Sequence, residues 1–513
     1  MIILYDNDRD LNSSRLILGI DIGDNSSCVA VYNTAVKNAE IVDFSGGYGH
    51  AAVSTMIQFN PGADEWAFGE NAVMNIGDSD EINISGLVSL LRCGEGVKIK
   101  DVYYPAYKLL SMFVKKLLEM VCYINPNSEI SKVVISCDDY ISKNVQLKFS
   151  ESLEYAGLGS GDILFKSDSE CILAKILYDE GLTNGKVIIL DYGSRAFRGK
   201  VFDVDLRYDC VSAKVDAFDF DDEIGTSSIE NDVLSLITTY YCEETGLREE
   251  NFPYETRARL EQFSRSHKDL FFQKGILTKP VQLYYNFAYP PFRKTVTSEV
   301  SKQLIDRYRR RLTSFLDKFA KHNGDVLPIV FCAGSGFEMF WAREMVKEFF
   351  KDCTILCQKG PSGAHAEGAA LIGASAMGIC KLKNVEINDF YKSITDIGIL
   401  AKSNNEMKFL PLIEEGSHIS TGINRQVVIL TEGTETPVYI DIYSKSSSTK
   451  SDPKLIEHIL VPELPVRPKG TMKLSVGLKF VNQSELEVTL SDEGFGGIFP
   501  KTDYAYSVKM CLE

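Results

Sequence analysis

The chain has 513 residues, of which 44% are hydrophobic, and it carries a formal net charge of −16 with a sequence pI of about 5.1. This length predicts about three domains and allows cores of substantial size. The acidic balance argues against nucleic acid or an anionic membrane surface as a partner.

Cysteine usage and the first residues bear on the compartment. The twelve cysteines lack Cys-X-X-Cys spacing and are accompanied by only six histidines, which disfavours a zinc site and favours reduced thiols. The opening MIILYDNDRDLNSS is short and acidic, unlike a signal peptide. The sequence has no run of about 18 apolar residues, which is the length that a transmembrane helix needs. We therefore expect a cytoplasmic protein.

Two segments of the sequence share one pattern. Residues 16–33 (LILGIDIGDNSSCVAVYN) and 187–203 (VIILDYGSRAFRGKVFD) each read as an apolar strand, an Asp-X-Gly turn and a second apolar strand. Turn N–H groups can hold phosphate oxygens, and a carboxylate can hold Mg²⁺ through water. One such turn is typical of any protein, but the matched pair predicts a duplicated domain that clasps one nucleotide.

Strands and helices alternate up to about residue 377, which predicts an α/β fold. The strand-like runs are 133–136, 187–190 and 329–332, and the helix-like runs are 106–120, 145–155, 228–242, 298–320 and 338–350. The first domain is therefore placed at residues 1–382.

A short polar linker is predicted at residues 383–390, and the pattern changes after it. Alternating apolar residues predict strands at 426–430, 438–443, 474–480 and 486–490. Residues 391–513 are therefore expected to form a separate all-β domain.

Several blocks resemble, in the same order, those of the seventy-kilodalton heat-shock chaperones. They are GIDIGDNSSCVAV (19–31), FGENA (68–72), ILDYGSRAF (189–197), FCAGSGFEM (331–339), GPSGAHAEGAALIGA (360–374), PLIEEGSHIST (411–421) and VTLSDEGFG (488–496). The resemblance implies an actin-like, ribonuclease-H-like duplicated domain of two lobes, followed by a linker and a β-sandwich that resembles a peptide-binding domain. The chain ends at the sandwich, so we expect a divergent member that lacks the helical lid.

The resemblance also assigns roles to residues. It gives catalytic roles to Asp21 and Asp191 and implies that both, together with Asp168, hold Mg²⁺. A helix N-cap at Asp168 or Ser169 is the alternative there. It assigns to ATP or ADP binding Gly23, Asp24, Asn25, Ser26, Gly193, Ser194, Arg195, Gly225, Thr226, His267, Lys268, Gly334, Ser335, Gly336 and Phe337. For His267 and Lys268, an ordinary surface location is the alternative.

Departures from the family concern the phosphate loops. Asp24 and Asn25 stand where the family has two threonines. A carboxylate about 4 Å from a phosphate charge costs on the order of 4 kcal/mol at an effective dielectric constant near 20, so Asp24 either points away or is offset by a cation. Arg195 lies in the second loop and Arg198 replaces an aspartate just after it. Each either binds phosphate or is an ordinary exposed charge or salt bridge.

Other departures concern hydrolysis and the base. Val73 falls at or beside the position of the lysine that positions the attacking water in the family. The arginine that packs on the adenine in the family is replaced near Phe337, which could itself stack on the base, and Ser362 replaces a nearby aspartate. Because hydrolysis needs positioned water and charge neutralisation, we expect ATPase activity to be weak or absent.

The leading interpretation is a heat-shock-chaperone-like protein that binds ATP or ADP with Mg²⁺ between its lobes and extended peptides on its sandwich. The partners implied are unfolded or extended peptide clients and a co-chaperone or exchange factor, with neither nucleic acid nor membrane. The first alternative is a non-hydrolysing pseudo-ATPase that serves as an interaction scaffold. A small-molecule kinase is the second, and the C-terminal sandwich counts against it.

Overall fold

The computed structural model of the chain describes residues 14–45, 52–74, 81–207, 210–267, 280–286, 291–322, 327–358, 363–389, 392–393, 395–403, 406–419, 424–430, 433–434, 437–445, 452–482 and 485–511. The chain separates into two units. The first comprises Met1–Asp139 and Phe149–Asn388, and the second comprises Tyr140–Lys148 and Asp389–Glu513. No helix in these described ranges combines the length and apolarity needed to cross a membrane.

The first unit is of mixed α/β type. Its strands are β1 Ser14–Ile22, β2 Ser26–Asn33, β3 Asn38–Ile41, β4 Ala52–Ser54, β5 Ile57–Asn60, β6 Glu65–Phe68, β7 Ile82–Ile84, β8 Gly96–Ile99, β9 Val102–Pro105, β10 Ser128–Cys137, β11 Ile163–Ser167, β12 Asn184–Tyr192, β13 Phe197–Arg207, β14 Cys210–Asp221, β15 Val281–Tyr285, β16 Phe292–Val296, β17 Ile329–Ala333, β18 Thr354–Cys357 and β19 Asn384–Asn388. The α-helices are α1 Glu70–Met74, α2 Leu87–Cys93, α3 Ala106–Ile124, α4 Lys143–Tyr155, α5 Asp168–Glu180, α6 Thr226–Thr245, α7 Tyr254–His267, α8 Ser298–Ala320, α9 Phe340–Phe349 and α10 Gly363–Ala376; α4 runs across the boundary between the units.

Two larger sheets of this unit have the same topology. The first has the order β11-β10-β1-β2-β3, with β4 also paired to β2, and the second has the order β18-β17-β12-β13-β14-β19. In each, a meander of three antiparallel strands is extended on one side by two parallel strands, β10 and β11 or β17 and β18. The repeat predicted from the two Asp-X-Gly segments is therefore a repeat of whole sheets.

Strand β1 shows how the sequence builds a sheet that is covered on both faces. Leu16, Leu18 and Ile20 are buried on one face in a core shared with α2 and α3. Ile17, on the opposite face, packs in a second cluster with residues of α10. A continuous apolar run is typical of a strand covered on both faces.

Helix α10 is built of small residues because it runs close to its neighbours. A Cβ added at Gly368 would lie 1.8 Å from the carbonyl oxygen of Cys171 in α5. On its other side, a Cβ added at Gly19 of β1 would lie 2.0 Å from the carbonyl oxygen of Ala366. Glycine at these two positions lets α10 lie against β1 and α5, which holds the residues of α10 close to the end of β1.

The second sheet has its own core. Residues of β12 and β13, including Ile188, Leu190 and Phe197, pack with the apolar side of α8, where Leu312 and Phe315 are buried. The recurrence of apolar residues three and four positions apart in α8 is typical of a helix with one buried face. The sequence predicted this helix with the bounds that the structure has.

Residues assigned to the linker contribute to the second sheet. Asn384–Asn388 form β19, which pairs in parallel with β14 from Cys210 to Lys214. Five of the eight residues that the sequence assigned to a linker thus belong to an edge strand of the first unit. Phe390, the last residue of the predicted linker, lies outside the described residues.

In the part of the chain that the structure describes, the second unit is a sandwich of two four-stranded sheets around one apolar core. Its strands are β20 Asp396–Ser403, β21 Glu406–Ile413, β22 Asn424–Ile429, β23 Val438–Lys445, β24 Lys454–Val461, β25 Lys473–Asn482, β26 Glu485–Asp492 and β27 Ala505–Cys511. The sheet orders are β21-β20-β23-β24 and β22-β25-β26-β27. All four strands predicted here are present, and the alternating apolar residues of β25, Leu474, Val476, Leu478 and Phe480, are all buried.

A buried ion pair lies in this unit at the end of β26. Arg467 donates two hydrogen bonds to Asp492, from Nη1 to Oδ1 at 2.9 Å and from Nη2 to Oδ2 at 2.6 Å. The Asp492 carboxylate also accepts hydrogen bonds from Gly494 N and from the backbone and hydroxyl of Thr502. These hydrogen bonds offset the free-energy cost of burying the Asp492 carboxylate, which would be high for a charge without partners.

Candidate functional site

The two Asp-X-Gly segments form hairpins that match residue for residue. Asp21 pairs across its hairpin with Cys28, and Asp191 pairs with Arg198, each seven residues further along. In the first turn Gly23 N donates to Ser26 O at 3.0 Å, and in the second Gly193 N donates to Ala196 O at 3.1 Å. The two aspartates therefore occupy the same position of the same local structure.

His365, near the start of α10, lies between these two aspartates. Its Nδ1 is 3.9 Å from Oδ2 of Asp21 and its Nε2 is 3.7 Å from Oδ2 of Asp191. Burial lowers the pKa of this imidazole, but Asp191, Asp21 and Asp168 outweigh burial and raise the pKa of His365 to about 10. Nδ1 has no hydrogen-bond partner among the described residues. One buried ring thus links the ends of the two hairpins.

Asp168 is the third carboxylate of this group. It is the first residue of α5, and the N-cap is Ser167, whose Oγ accepts a hydrogen bond from Glu170 N. Ser136, in the penultimate position of β10, donates from Oγ to Oδ1 of Asp168 at 2.7 Å. Burial raises the pKa of Asp168 to about 8. Neither Asp168 nor Ser169 is therefore the N-cap, and the Asp168 carboxyl points into the cluster.

Arg198 joins carboxylates from three separate elements. Its Nη1 lies 3.4 Å from Oδ2 of Asp191 and 3.7 Å from Oδ2 of Asp168, and its Nη2 is paired with Asp138, which directly follows β10. Burial opposes the charge of Arg198, but Asp138, Asp191 and Asp168 raise its pKa above its usual range. Of the two interpretations left open for Arg198, the salt bridge describes these contacts.

Asp138 also forms ion pairs with two other arginines. It is paired with Arg92 of α2 and, at 3.2 Å, with Nη1 of Arg195 in the second turn. Burial raises the pKa of Asp138, but Arg198, Arg92 and Arg195 together hold it well below its usual range. Asp138 therefore stays ionised, and three arginines share its charge.

Asp24 points away from the inside of its own turn. Its Oδ1 accepts a hydrogen bond from Ser89 N at 2.8 Å and its Oδ2 accepts one from Ser89 Oγ at 2.7 Å, at the start of α2. A carboxylate in the first turn of a helix satisfies free N–H groups and favours the helix dipole. Arg195 Nε, 3.9 Å from Oδ2, faces the same carboxylate. Asp24 is thus committed to α2 and Arg195.

The first turn also meets the start of α6. Asn25 donates from Nδ2 to Oγ of Ser227 at 3.3 Å. Thr226 N donates to Gly193 O at 3.1 Å, and Ser227 N donates to Ser194 O at 2.9 Å. Gly225 precedes α6 in this arrangement, where an added Cβ would lie 2.4 Å from Ser194 O. Both turns therefore converge on the first residues of α6.

The turn after β17 packs beneath Asp191. A Cβ added at Gly334 would lie 2.8 Å from Oδ1 of Asp191, and one added at Gly336 would lie 2.2 Å from the ring of Tyr192. Phe337, in the 3-10 helix Ser335–Glu338, is 4% exposed and packs edge-on against Tyr192 and Phe197. This burial leaves little of the Phe337 ring free to stack on a base, contrary to the sequence-based expectation.

Val73, His267, Lys268 and Ser362 are the remaining sequence-based candidates. Val73 packs with Met56, Ala72 and Ala258 in a small apolar cluster. His267 ends α7 and its side chain lies outside the described part of the structure, as do Lys268 and Ser362. The structure thus brings together the two aspartates, Asp168, Arg195 and Arg198.

Sequence reasoning missed His365, Asp138 and Arg92. His365 lies within the GPSGAHAEGAALIGA block, and its position as the one ionisable residue of the segment GAHA was the available signal. Asp138 directly follows the buried strand β10, and an acid at the end of a buried strand is the same signal that identified Asp21 and Asp191. Arg92 offered no such signal.

A directly bound Mg²⁺ does not fit these residues. One ligand atom from each of Asp168, Asp191 and His365 lies within 4.8 Å of the others, which on distance alone resembles a metal site. Arg198 Nη1, however, already faces the carboxylate oxygens of Asp168 and Asp191. Mg²⁺ prefers an octahedral set of oxygens, whereas this group supplies an imidazole and a guanidinium beside its two carboxylates.

Comparison with known proteins gives matches over nearly the whole chain. The chain is 22% identical over 508 residues to the chaperone protein DnaK of Anaplasma marginale (strain St. Maries), covering 94% of this chain and 75% of that protein. It is also 22% identical to the mitochondrial-type heat shock protein 70 of Encephalitozoon hellem, covering 93% and 81%, and to the DnaK of Prochlorococcus marinus (strain MIT 9515), covering 94% and 76%.

Two family models match separate parts of the chain. Residues 39–266 match the C-terminal part of a family of unknown function, DUF5716, and residues 392–512 match a domain of unknown function, DUF8552. The second match falls within the sandwich unit. The mixed α/β unit and the β-sandwich are consistent with the two-domain fold of the heat-shock chaperones, to which the chain is similar at 22% identity over nearly its whole length.

Proposed function

We propose that the chain is a chaperone-like protein that binds ATP or ADP between the two halves of its actin-like first unit. The observation that carries the proposal is the placement of Asp21 and Asp191 at equivalent positions of two matching hairpins, on either side of His365. We expect two matched turns that converge on one point to offer backbone groups from both halves to a single ligand, as an anion site requires.

Hydrolysis of the bound nucleotide is proposed to be slow or absent. Phosphoryl transfer depends on a positioned water and on cations that neutralise the developing charge. Val73 lies in an apolar cluster, and the charge of Arg198 is shared among Asp138, Asp168 and Asp191. Neither Val73 nor Arg198 therefore replaces the lysine that positions the attacking water in the family. Arg195 is more exposed and is the remaining candidate for a phosphate contact.

Melting curves of the full chain test nucleotide binding. A ligand that binds only the folded state stabilises it by about 2.7 kcal/mol when its concentration is a hundredfold above Kd, so we expect millimolar ATP or ADP to raise the melting temperature. Asp21→Asn should reduce the rise, and Asp101→Asn, at a fully exposed carboxylate, should not. No rise with either nucleotide would leave the interaction scaffold as the better interpretation.

We further propose that the sandwich binds extended peptides along β22. This strand is at the edge of its sheet in the described strand order, and Val427 and Ile429, two residues apart, are 43% and 52% exposed. An edge strand can pair with an added strand, and alternate side chains then supply specificity. A fluorescent hydrophobic heptapeptide should bind the full chain, and the double change Val427→Lys and Ile429→Lys should weaken it.

The matched control is Leu455→Lys, at a similarly exposed residue of the other sheet. Equal loss of binding in this control would contradict a site on β22. We also expect ATP to change the peptide affinity by less than the usual coupling of about 1–3 kcal/mol.

A further inference from the structure

Arg198 is held in place by the sheet itself. It lies on β13 in register with Asp191 of β12, so its side chain leaves the backbone beside the aspartate that the nucleotide proposal depends on. Its guanidinium contacts Asp191, Asp168 and Asp138, which come from β12, the start of α5 and the end of β10. Only 18% of the side chain is exposed. The three carboxylates therefore converge on this guanidinium, and His365 lies beside Asp191 as a second basic group.

The guanidinium suits this position chemically. It keeps its charge at every pH that proteins tolerate, and its planar fork of five N–H donors can serve several carboxylates at once. Hydrogen bonds between charged groups are about twice as strong as neutral ones. A cation at this point reduces the repulsion among the carboxylates, which is one service that a bound divalent ion would supply.

A divalent ion on the same oxygens would meet this cation at short range. Mg²⁺ binds oxygen at about 2.0–2.1 Å, and Nη1 of Arg198 is only 3.4 Å from Oδ2 of Asp191 and 3.7 Å from Oδ2 of Asp168. An ion held by both oxygens would thus lie within a few ångströms of the guanidinium. Like charges so close in a partly buried site repel strongly.

We propose that Arg198 is the built-in counter-cation of this cluster, so that the chain binds its nucleotide without holding a divalent metal ion on Asp168 and Asp191. The metal part of this inference concerns the free chain and stands by itself. The nucleotide part rests on the proposed function. Replacing Arg198 by a neutral side chain should turn the carboxylates into a metal site.

Titration of the nucleotide-free full chain with Mn²⁺, followed by the paramagnetic resonance signal of the free ion, tests the metal part. We expect wild type and Arg198→Lys to lack a site that depends on Asp191. Arg198→Gln should gain one site, and adding Asp191→Asn should remove it. Mg²⁺ should also raise the melting temperature of Arg198→Gln and leave that of wild type unchanged.

Two results would overturn the inference. One is a Mn²⁺ site in wild type that Asp191→Asn removes, a comparison that does not require any Arg198 variant to fold. The other is a folded Arg198→Gln, verified by circular dichroism, that gains no site, because the carboxylates would then not depend on Arg198 to exclude metal.

Titration with ADP in EDTA and in Mg²⁺ tests the nucleotide part. Wild type should bind equally in both conditions, whereas Arg198→Gln should bind at least about tenfold more tightly with Mg²⁺. Mg²⁺-dependent binding by wild type would contradict the inference while leaving the proposed function intact. Absence of ADP binding in every condition would instead remove the proposed function, and the Mn²⁺ result would still decide the role of Arg198.

Discussion

Nη1 of Arg198 lies 3.4 Å from Oδ2 of Asp191, its register partner across the second hairpin. The equivalent partner of Asp21 in the first hairpin is Cys28, a neutral and buried residue. The two halves of the first unit thus repeat one backbone design with different chemistry at the same position. Because Arg198 contacts the aspartate in one hairpin and the neutral Cys28 takes its place in the other, the backbone is repeated but the binding chemistry is not.

Asp138 is expected to stabilise the first unit through its three arginines. Asp138→Asn removes the carboxylate from Arg92, Arg195 and Arg198 at once. Removing one partner of a largely buried ion pair typically costs about 3–5 kcal/mol, and we expect a loss near the lower end, measured by urea unfolding. Asp101→Asn is the exposed control, and a change in Asp138→Asn no larger than in this control would show that the network adds no stability.

Replacing Gly368 of α10 is expected to lower the free energy of unfolding. Gly368→Ala would place a Cβ 1.8 Å from the carbonyl oxygen of Cys171, so α10 and α5 would have to separate. Overpacking of this kind costs about 1–3 kcal/mol. The matched control is Gly161→Ala, where an added Cβ meets nothing within 4 Å. Unfolding free energies of the two variants should differ by that amount; equal values would show that α10 can shift freely.

Asp492 should make the stability of the sandwich depend on pH. Burial raises its pKa, but hydrogen bonds from Gly494, Thr502 and Arg467 outweigh burial and lower it below the usual value. A lowered pKa in the folded state means that the carboxylate stabilises the fold above the unfolded pKa of about 3.9 and loses this effect as pH falls toward the folded pKa.

The corresponding measurement is urea unfolding of wild type and Asp492→Asn, followed by far-ultraviolet circular dichroism at pH 7, 4 and 3. At pH 7 the variant should lose about 3–5 kcal/mol, since Arg467 is left buried without its anion. The difference between the two proteins should hold down to about pH 4, near the unfolded pKa, and should shrink between pH 4 and pH 3. A difference that stays constant down to pH 3 would mean that Asp492 has an ordinary pKa.

Cys357 is expected to be the most reactive of the exposed thiols. A hydrogen bond from Cys332 lowers the pKa of Cys357 to about 6, with Arg343 and Lys347 adding to the effect and partial burial opposing it. Because the thiolate is the nucleophile, iodoacetamide at pH 7 should modify Cys357 about tenfold faster than the exposed thiol of Cys93. Mass spectrometry of timed digests measures both rates.

Cys332→Ala supplies the control for this reactivity. Removing the hydrogen bond should bring the rate at Cys357 toward that at Cys93, although the charges of Arg343 and Lys347 remain. If Cys357 reacts no faster than Cys93 in the wild-type chain, the arrangement of the two sulfur atoms differs from the one described.

The hairpins and the sandwich strands were predictable because their signals are local. An aspartate after an apolar strand, followed by X-Gly, determines a turn within a few residues of chain. Alternation within β25 likewise identified its buried face. The orientation of the Asp24 side chain toward α2 could not be predicted, because its partner Ser89 is 65 residues away in the sequence.

The ion network was beyond sequence reasoning for the same cause. Asp138 meets Arg92 across 46 residues and Arg195 across 57 residues of chain. No sequence pattern near Asp138 indicates Arg92 or Arg195 as its partner. Phe337 failed as a base-stacking candidate for a related reason, since only the packing of Tyr192 and Phe197 shows that its ring is enclosed.

Calorimetric titration of ADP into the full chain tests the central claim most directly. We expect one nucleotide per chain, with binding weakened at least about tenfold by Asn25→Ala, which alters the first turn where it meets Ser227. Asn251→Ala, at an exposed asparagine outside the hairpins, should leave binding unchanged. The absence of any binding heat at several temperatures, or equal affinities in both variants, would contradict a nucleotide site between the matched hairpins.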